Sequence, residues 1–316
     1  MSNSLYRKHR PKKFEDVVGQ EFITTTLQNQ IKNNNISHAY LFCGTRGSGK
    51  TTVAKIFANA VNDYKTSDID IFEIDAASNN GVDAVRELIE KVKYPPVNAK
   101  YKVYIIDEVH MFSTAAFNAL LKTLEEPPSY VIFILATTEP HKLLPTVLSR
   151  CVRFDFKSAS VPQIAEVLTK VLKKENIKAE KQVIEAIAKE GRGSYRDALS
   201  IAETVSNYDD KKIEMETIIK VLGSVKKQTL ENLLLFIEEK NLEKIKNTIT
   251  EIFSAGINIS AIIKDLLEII KNKYVESKNK KYMEHYKLFA CLEINIKTAT
   301  DIQSILEGTC LLCTTI

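Results

Sequence analysis

The sequence predicts an α/β fold, a parallel sheet covered on both faces by helices, followed by a small helical domain and an all-α domain. Three observations lead there. Short apolar runs alternate with amphipathic segments over residues 1–150, the β signal stops after Phe156, and a glycine-rich loop pattern sits where the first run gives way to a helix. The runs are Ala39–Cys43, Ile71–Ile74, Val103–Ile106 and Val131–Ala136. Each is too short for a helix, rich in β-branched residues and apolar on both faces, as central strands of a parallel sheet must be. Helical patterns fall between them at Phe22–Asn33, Lys50–Ala60, Val82–Val92 and Thr114–Leu124. Alternation of this kind needs crossover connections and therefore parallel pairing.

Past Phe156, Val161–Lys174, Lys181–Lys189 and Tyr195–Asn207 read as a three-helix unit. The last of these is introduced by Gly191, Gly193 and Ser194 as N-cap, with Asp197 three residues on. A short helix at Glu214–Leu222 follows. From Gly223 the pattern is amphipathic throughout: Leu242, Ile245, Ile249 and Ile252 share one face, and Ile259, Ile262, Ile263, Leu266, Ile269 and Ile270 the next. The domains are placed at 1–157, 158–222 and 223–316, in keeping with the two or three that 316 residues allow.

Composition excludes more than it selects. Forty-four Lys and Arg against 40 Asp and Glu leave a net charge of +4, which permits an anionic partner without demanding one. No apolar run approaches the roughly 18 residues of a membrane span, so no membrane partner is expected. The five cysteines (Cys43, Cys151, Cys291, Cys310, Cys313) are scattered and odd in number, and the first residues lack an apolar signal core. A reducing, cytoplasmic compartment is the expectation.

Gly44-Thr45-Arg46-Gly47-Ser48-Gly49-Lys50-Thr51 fits G-x-x-x-x-G-K-[ST] and lies between a strand and a helix, the context a phosphate loop requires. Glycines let backbone N–H groups curl around phosphates, and the helix N-terminus adds positive potential. Lys50 reaches the β and γ phosphates, and the Thr51 hydroxyl ligates Mg²⁺. Val103–Ile106 ends in Asp107-Glu108, at the edge where parallel sheets bind ligands. Asp107 is placed to hold Mg²⁺ and Glu108 to polarise the attacking water. Thr137-Thr138 end the next run; either threonine could bond a γ-phosphate or its water, or simply satisfy local backbone. Arg150 and Arg196 draw attention only because charge on a transferring phosphoryl group must be neutralised.

Taken together, Leu5–Gln20 (LYRKHRPKKFEDVVGQ), His38–Thr52 (HAYLFCGTRGSGKTT), Lys102–Met111 (KVYIIDEVHM), Phe117–Pro128 (FNALLKTLEEPP), Leu135–Pro140 and Ser149–Cys151 closely resemble the gamma/tau subunit family of bacterial DNA polymerase III. That family is the AAA+ ATPase of the sliding-clamp loader. The resemblance runs from Leu5 to Leu222; beyond that it rests on length and helical pattern. It implies an AAA+ domain, a helical lid and a helical collar. It implies ATP and Mg²⁺, with Gly44, Thr45, Arg46, Gly47, Ser48, Gly49, Lys50 and Thr51 as the Walker A loop, Thr52 adjoining, and Asp107 and Glu108 as the Walker B pair. Thr138, or Thr137, resembles sensor 1. Arg150 resembles the arginine finger that reaches a neighbouring subunit's nucleotide, and Arg196 resembles sensor 2. Tyr6, Arg10 and Pro11, with Val17 and Val18, resemble the adenine-side pocket. The implied partners are delta and delta-prime subunits, further copies of the chain, the beta sliding clamp, primed DNA and, indirectly, single-strand-binding protein.

Two departures accompany the resemblance. Family members typically carry a four-cysteine zinc module after the phosphate-loop helix, whereas Asn59–Asp68 contains no cysteine, so no zinc is expected. The lone Cys310-Leu311-Leu312-Cys313 continues the Ile302, Ile305, Leu306 stripe and reads as core. Tau-type chains also continue into regions that bind helicase and polymerase, and since this chain stops at Ile316 those partners are not carried over.

Two other readings compete, and DNA contact is expected. Asp107-Glu108-Val109-His110 spells the box of a DExH helicase, but such a motor needs a second sheet domain of roughly 150 residues, and Gly223–Ile316 is shorter and helical in pattern. A delta-prime-like scaffold that never hydrolyses is opposed by the intact Lys50, Thr51, Asp107 and Glu108. For DNA, the N-termini of the Val82–Val92 and Thr114–Leu124 helices could hold phosphates, with Arg86 and Lys122 as candidates, against the plainer reading of solvated surface charge.

Overall fold

The computed structural model describes residues 4–64, 68–208, 212–222, 227–254, 259–295 and 301–316. The chain divides into two compact units, Met1–Glu203 and Thr204–Ile316. The first holds α1 (Leu5–Lys8), α2 (Glu21–Lys32), β1 (Ala39–Gly44), α3 (Lys50–Val61), β2 (Ile71–Asp75), α4 (Val82–Val92), β3 (Lys102–Asp107) and α5 (Thr114–Glu125). It continues through β4 (Val131–Thr137), α6 (Pro145–Leu148), β5 (Val152–Phe156), α7 (Val161–Lys174), the two-residue β6 (Lys178–Ala179), α8 (Lys181–Glu190) and the start of α9 (Tyr195–Tyr208).

All five long strands are parallel, in the order β2-β3-β4-β1-β5. The apolar runs and their four helices form within a residue of the expected bounds. Alternation along the strands feeds two cores. Leu41, Cys43, Tyr104, Ile106, Phe133 and Leu135 face α4 and α5, whose Val85, Leu88, Phe117, Leu120 and Leu124 are buried against them. Tyr40, Phe42, Val103, Ile105, Ile132 and Ile134 face α2 and α3 on the other side. Side chains buried on both faces explain why these strands read as continuous apolar runs. Register then sets the site: Cys43 pairs with Thr137 and Asp75 with Asp107, so the C-terminal ends of β1, β3 and β4 lie side by side.

In the second unit, β7 (Lys212–Ile213) is followed by helices α10 (Met215–Leu222), α11 (Lys227–Glu238), α12 (Leu242–Ser254), α13 (Ile259–Ser277), α14 (Lys280–Asn295) and α15 (Ile302–Thr315). Ile245, Ile249 and Ile252 pack with Ile262, Ile263, Leu266 and Ile270, whereas Leu242, expected on the same stripe, is 55% exposed. Cys310 and Cys313 are fully buried in this core, and burial pushes both thiols up, Cys313 to about 12. From Met215 onward the described residues are helical, without the second sheet a DExH motor needs. The boundary at Gly223 lies outside the described residues, as do Lys65–Ser67 of the cysteine-free segment Asn59–Asp68. Among the described residues no helix is long and apolar enough to cross a membrane.

Candidate functional site

The loop after β1 follows from its glycines. Gly49 is the N-cap of α3 at φ 104°, and Gly47 has φ 74°, a region that L side chains rarely adopt. A Cβ at Gly47 would also stand 1.9 Å from the Ser194 hydroxyl, so the start of α9 leaves no room for one. Tyr195 N–H donates to the Gly47 carbonyl at 3.2 Å, and its phenol donates to the Val18 carbonyl at 2.8 Å. Gln20, buried, donates to the Ser48 carbonyl at 3.4 Å and to that of Lys157 at 2.8 Å. Ser194, Tyr195 and Gln20 thus support the loop. The sequence reading gave Ser194 only a capping role, which it also fills by accepting from Asp197 N–H at 3.1 Å.

Inside the loop, Lys50 is 5% exposed and its ammonium donates to the carbonyls of Gly44 (2.9 Å) and Thr45 (3.1 Å). Burial pushes its pKa down, opposed by the Glu108 and Asp107 carboxylates. The Thr51 hydroxyl donates to Asp107 Oδ2 at 2.8 Å, tying the first turn of α3 to the end of β3. Glu108 follows in a left-handed conformation, φ 47°, and its Oε2 accepts from Thr138 N–H (3.3 Å) and Thr138 Oγ1 (3.0 Å). Thr138 is therefore the threonine that meets the carboxylate. Thr137, fully buried, contacts His110 Nδ1 at 3.0 Å instead. Thr52 accepts from Arg10 Nε at 3.1 Å, bringing the N-terminal segment to α3.

Two arginines rest elsewhere. The Arg196 guanidinium lies 4.6 Å from the centre of the Tyr6 ring and donates to its phenol oxygen at 3.2 Å. Arg150 pairs with Glu125 at 2.5 Å and donates to the Thr146 carbonyl at 2.6 Å. Of the proposed phosphate-contacting cations, Arg86 is ion-paired with Asp83 at 3.1 Å. Lys122 lies in the last turn of α5, the end opposite the Ser113 N-cap, so the helix N-terminus that suggested it is not where it sits.

The arrangement offers a cation and curled backbone for phosphates, two hard oxygens for a divalent ion and a carboxylate at the same sheet edge. Residues 19–70 and 60–160 match a family model described as DNA polymerase III, delta subunit. Residues 163–204 match one described as DNA polymerase III clamp loader subunit, ATPase lid domain. The chain is 45% identical over 282 residues to the DNA polymerase III subunit tau of Bacillus subtilis, covering 84% of this chain and 50% of that protein. It is 34% identical over 284 residues to the DNA polymerase III subunit gamma of Buchnera aphidicola subsp. Baizongia pistaciae, covering 84% and 77%. The chain spans half or less of the length of the tau and tau/gamma relatives it matches. The RuvB Holliday junction branch migration motor of Thermotoga maritima shares the fold, with TM-score 0.56 at 20% identity over 79% of this chain and 86% of that one.

Proposed function

Because the chain belongs to the gamma/tau family of DNA polymerase III subunits and has its AAA+ fold, we propose that it is an ATP-hydrolysing subunit of a sliding-clamp loader. The observation that carries this is the 2.8 Å bond between Thr51 and Asp107, which joins the phosphate loop to the carboxylate pair. Both atoms are hard oxygens, fitting Mg²⁺, so Thr51 and Asp107 are the residues that would hold it. When bound, the ion neutralises charge on the β- and γ-phosphate oxygens.

The chain's own groups do the rest. Lys50 exchanges the Gly44 and Thr45 carbonyls for the β and γ phosphates, and Gly44–Thr52 cradles them. Glu108 orients the attacking water and takes up its proton. Thr138 donates twice to Oε2 of that carboxylate, which holds Glu108 in place while its remaining lone pairs accept from the water. Arg196 reads the phosphates of its own subunit, and Arg150 those of the neighbour. Tyr6, Arg10, Pro11, Val17 and Val18 line the adenine side. Residues 1–157 form the ATPase domain, 158–222 the lid and 223–316 the collar. Its partners are delta, delta-prime, further copies of itself, the beta clamp and primed DNA, with single-strand-binding protein acting indirectly, in the cytoplasm.

The test is ATP turnover by the chain alone, then with delta, delta-prime, clamp and primed DNA added in turn. Turnover rises at each addition, and Lys50→Ala abolishes nucleotide binding. The match to a delta-subunit model favours one other reading, a non-hydrolysing ring scaffold; nucleotide retained without turnover in the full assembly establishes that reading instead.

A further inference from the structure

Sequence spacing drew attention to His110 only as the last letter of a helicase box, and the proposed hydrolysis leaves it unused. Its side chain is 7% exposed and each ring nitrogen faces a carboxylate: Nδ1 lies 3.4 Å from Glu108 Oε2, and Nε2 3.2 Å from Glu139 Oε2. The hydrogen bonds define more. The Thr137 hydroxyl accepts from Glu139 N–H at 3.0 Å and is also hydrogen-bonded to His110 Nδ1 at 3.0 Å. On its other side the imidazole presents Nε2 to the Glu139 carboxylate, at 3.2 Å. Two hydrogen bonds, Glu139 N–H to Thr137 and Thr137 to His110, and the close approach of His110 Nε2 to the Glu139 carboxylate fasten residues 137–139 to the turn after Glu108.

Two consequences bear on Glu108. Thr138 lies between the two β4-end residues so fastened, and it supplies both donors to the Glu108 carboxylate. Glu108 also holds φ 47°, a left-handed conformation that non-glycine residues adopt infrequently. His110, two residues on, is the adjoining side chain anchored across to β4. We infer that His110 is a positioning residue: it locks the end of β4 to the Glu108 turn, so that Thr138 meets the Glu108 carboxylate in register. The inference rests on the proposed hydrolysis at Glu108.

The phosphate loop lies on another element, so removing the His110 bonds separates turnover from binding. The test measures kcat for ATP and the affinity for a fluorescent ATP analogue in the full assembly, for the wild type and H110A, H110F, H110N and E108Q. H110A and H110F bind nucleotide as the wild type does, with kcat lowered about tenfold or more, as small misplacements of a reacting group produce. H110N, whose amide can bond the Thr137 hydroxyl from the place where Nδ1 stood, recovers much of the rate. Wild-type turnover in H110A or H110F overturns the inference, because the imidazole then serves at most as filler. So does an H110N as slow as H110A, or a loss of affinity that parallels kcat in every variant. E108Q separates the two questions: if it turns over ATP at the wild-type rate, the proposed role of Glu108 has failed, whatever the His110 variants do.

Discussion

Arg196 sits over an aromatic face and bonds its hydroxyl, and the phenol registers both. The hydrogen bond from Arg196, with lesser ones from Ser4 and Arg7, brings the Tyr6 pKa down from 10.0 to about 8. A donor cation favours the ionised phenolate, so the Arg196 to Tyr6 attraction strengthens as pH rises through 8. In an ultraviolet titration of tyrosinate absorbance, Tyr6→Phe removes a step near pH 8, and Arg196→Ala returns it toward 10. If Arg196 moves to phosphates, ATP shifts the step upward in the same way. A Tyr6 step indifferent to nucleotide counts against Arg196 as a phosphate reader. The family resemblance named Tyr6 and Arg196 as candidate site residues, but their mutual contact was not legible. They are 190 positions apart in the chain, and nothing periodic marks such a pair.

Among the elements, the junction of β2 with the loop before β3 is tied by a buried carboxylate. Asp70 is 1% exposed and accepts from the backbone N–H groups of Val97, Asn98 and Ala99 at 2.8, 2.9 and 3.0 Å. Burial by itself raises its pKa, yet the three donors, with Lys102 nearby, hold the carboxyl below its usual value. Lys102 in turn donates to the Lys91 and Tyr94 carbonyls at the end of α4, at 2.7 and 3.1 Å. Asp70→Ala strands the loop amides and costs about 3 kcal/mol in urea denaturation. A depressed carboxyl pKa stabilises above the unfolded value and is lost as pH falls through the folded one. The stability gap between wild type and Asp70→Asn is therefore full above about pH 4 and narrows below it. A gap that does not change with pH removes the charged-acceptor account. The β5 strand shows the limit of pattern reading at this scale. Its exposed Val152, Arg153 and Asp155 against buried Phe154 and Phe156 make a half-covered edge, so it reads as a brief alternation rather than an apolar run.

For the whole molecule, Arg150 is held by Glu125 and the Thr146 carbonyl of its own chain. A finger acting on a neighbour's nucleotide is felt only in the assembly. Arg150→Ala is expected to keep nucleotide binding and lose DNA-stimulated hydrolysis in the assembled ring; normal hydrolysis there excludes an in-trans role. DNA affinity of the assembly should fall linearly with salt on logarithmic axes and be indifferent to sequence, because phosphate contacts release counterions. A flat salt series removes the phosphate-contact reading.

By itself the sequence determined the parallel α/β sheet, the helical remainder, the glycine-rich loop between β1 and α3 and the placement of Asp107-Glu108 at the end of β3. These are local: backbone geometry fixes the spacing of strand, loop and helix, and burial on both faces fixes the apolar runs. Only the tertiary structure decided that Thr138 rather than Thr137 meets Glu108, that Ser194 and Tyr195 close on Gly47, that Arg196 rests on Tyr6, and that His110 fastens the end of β4. Each of these contacts joins separate elements, and their meeting depends on strand order and on how helices pack over the sheet, which no short-range pattern encodes.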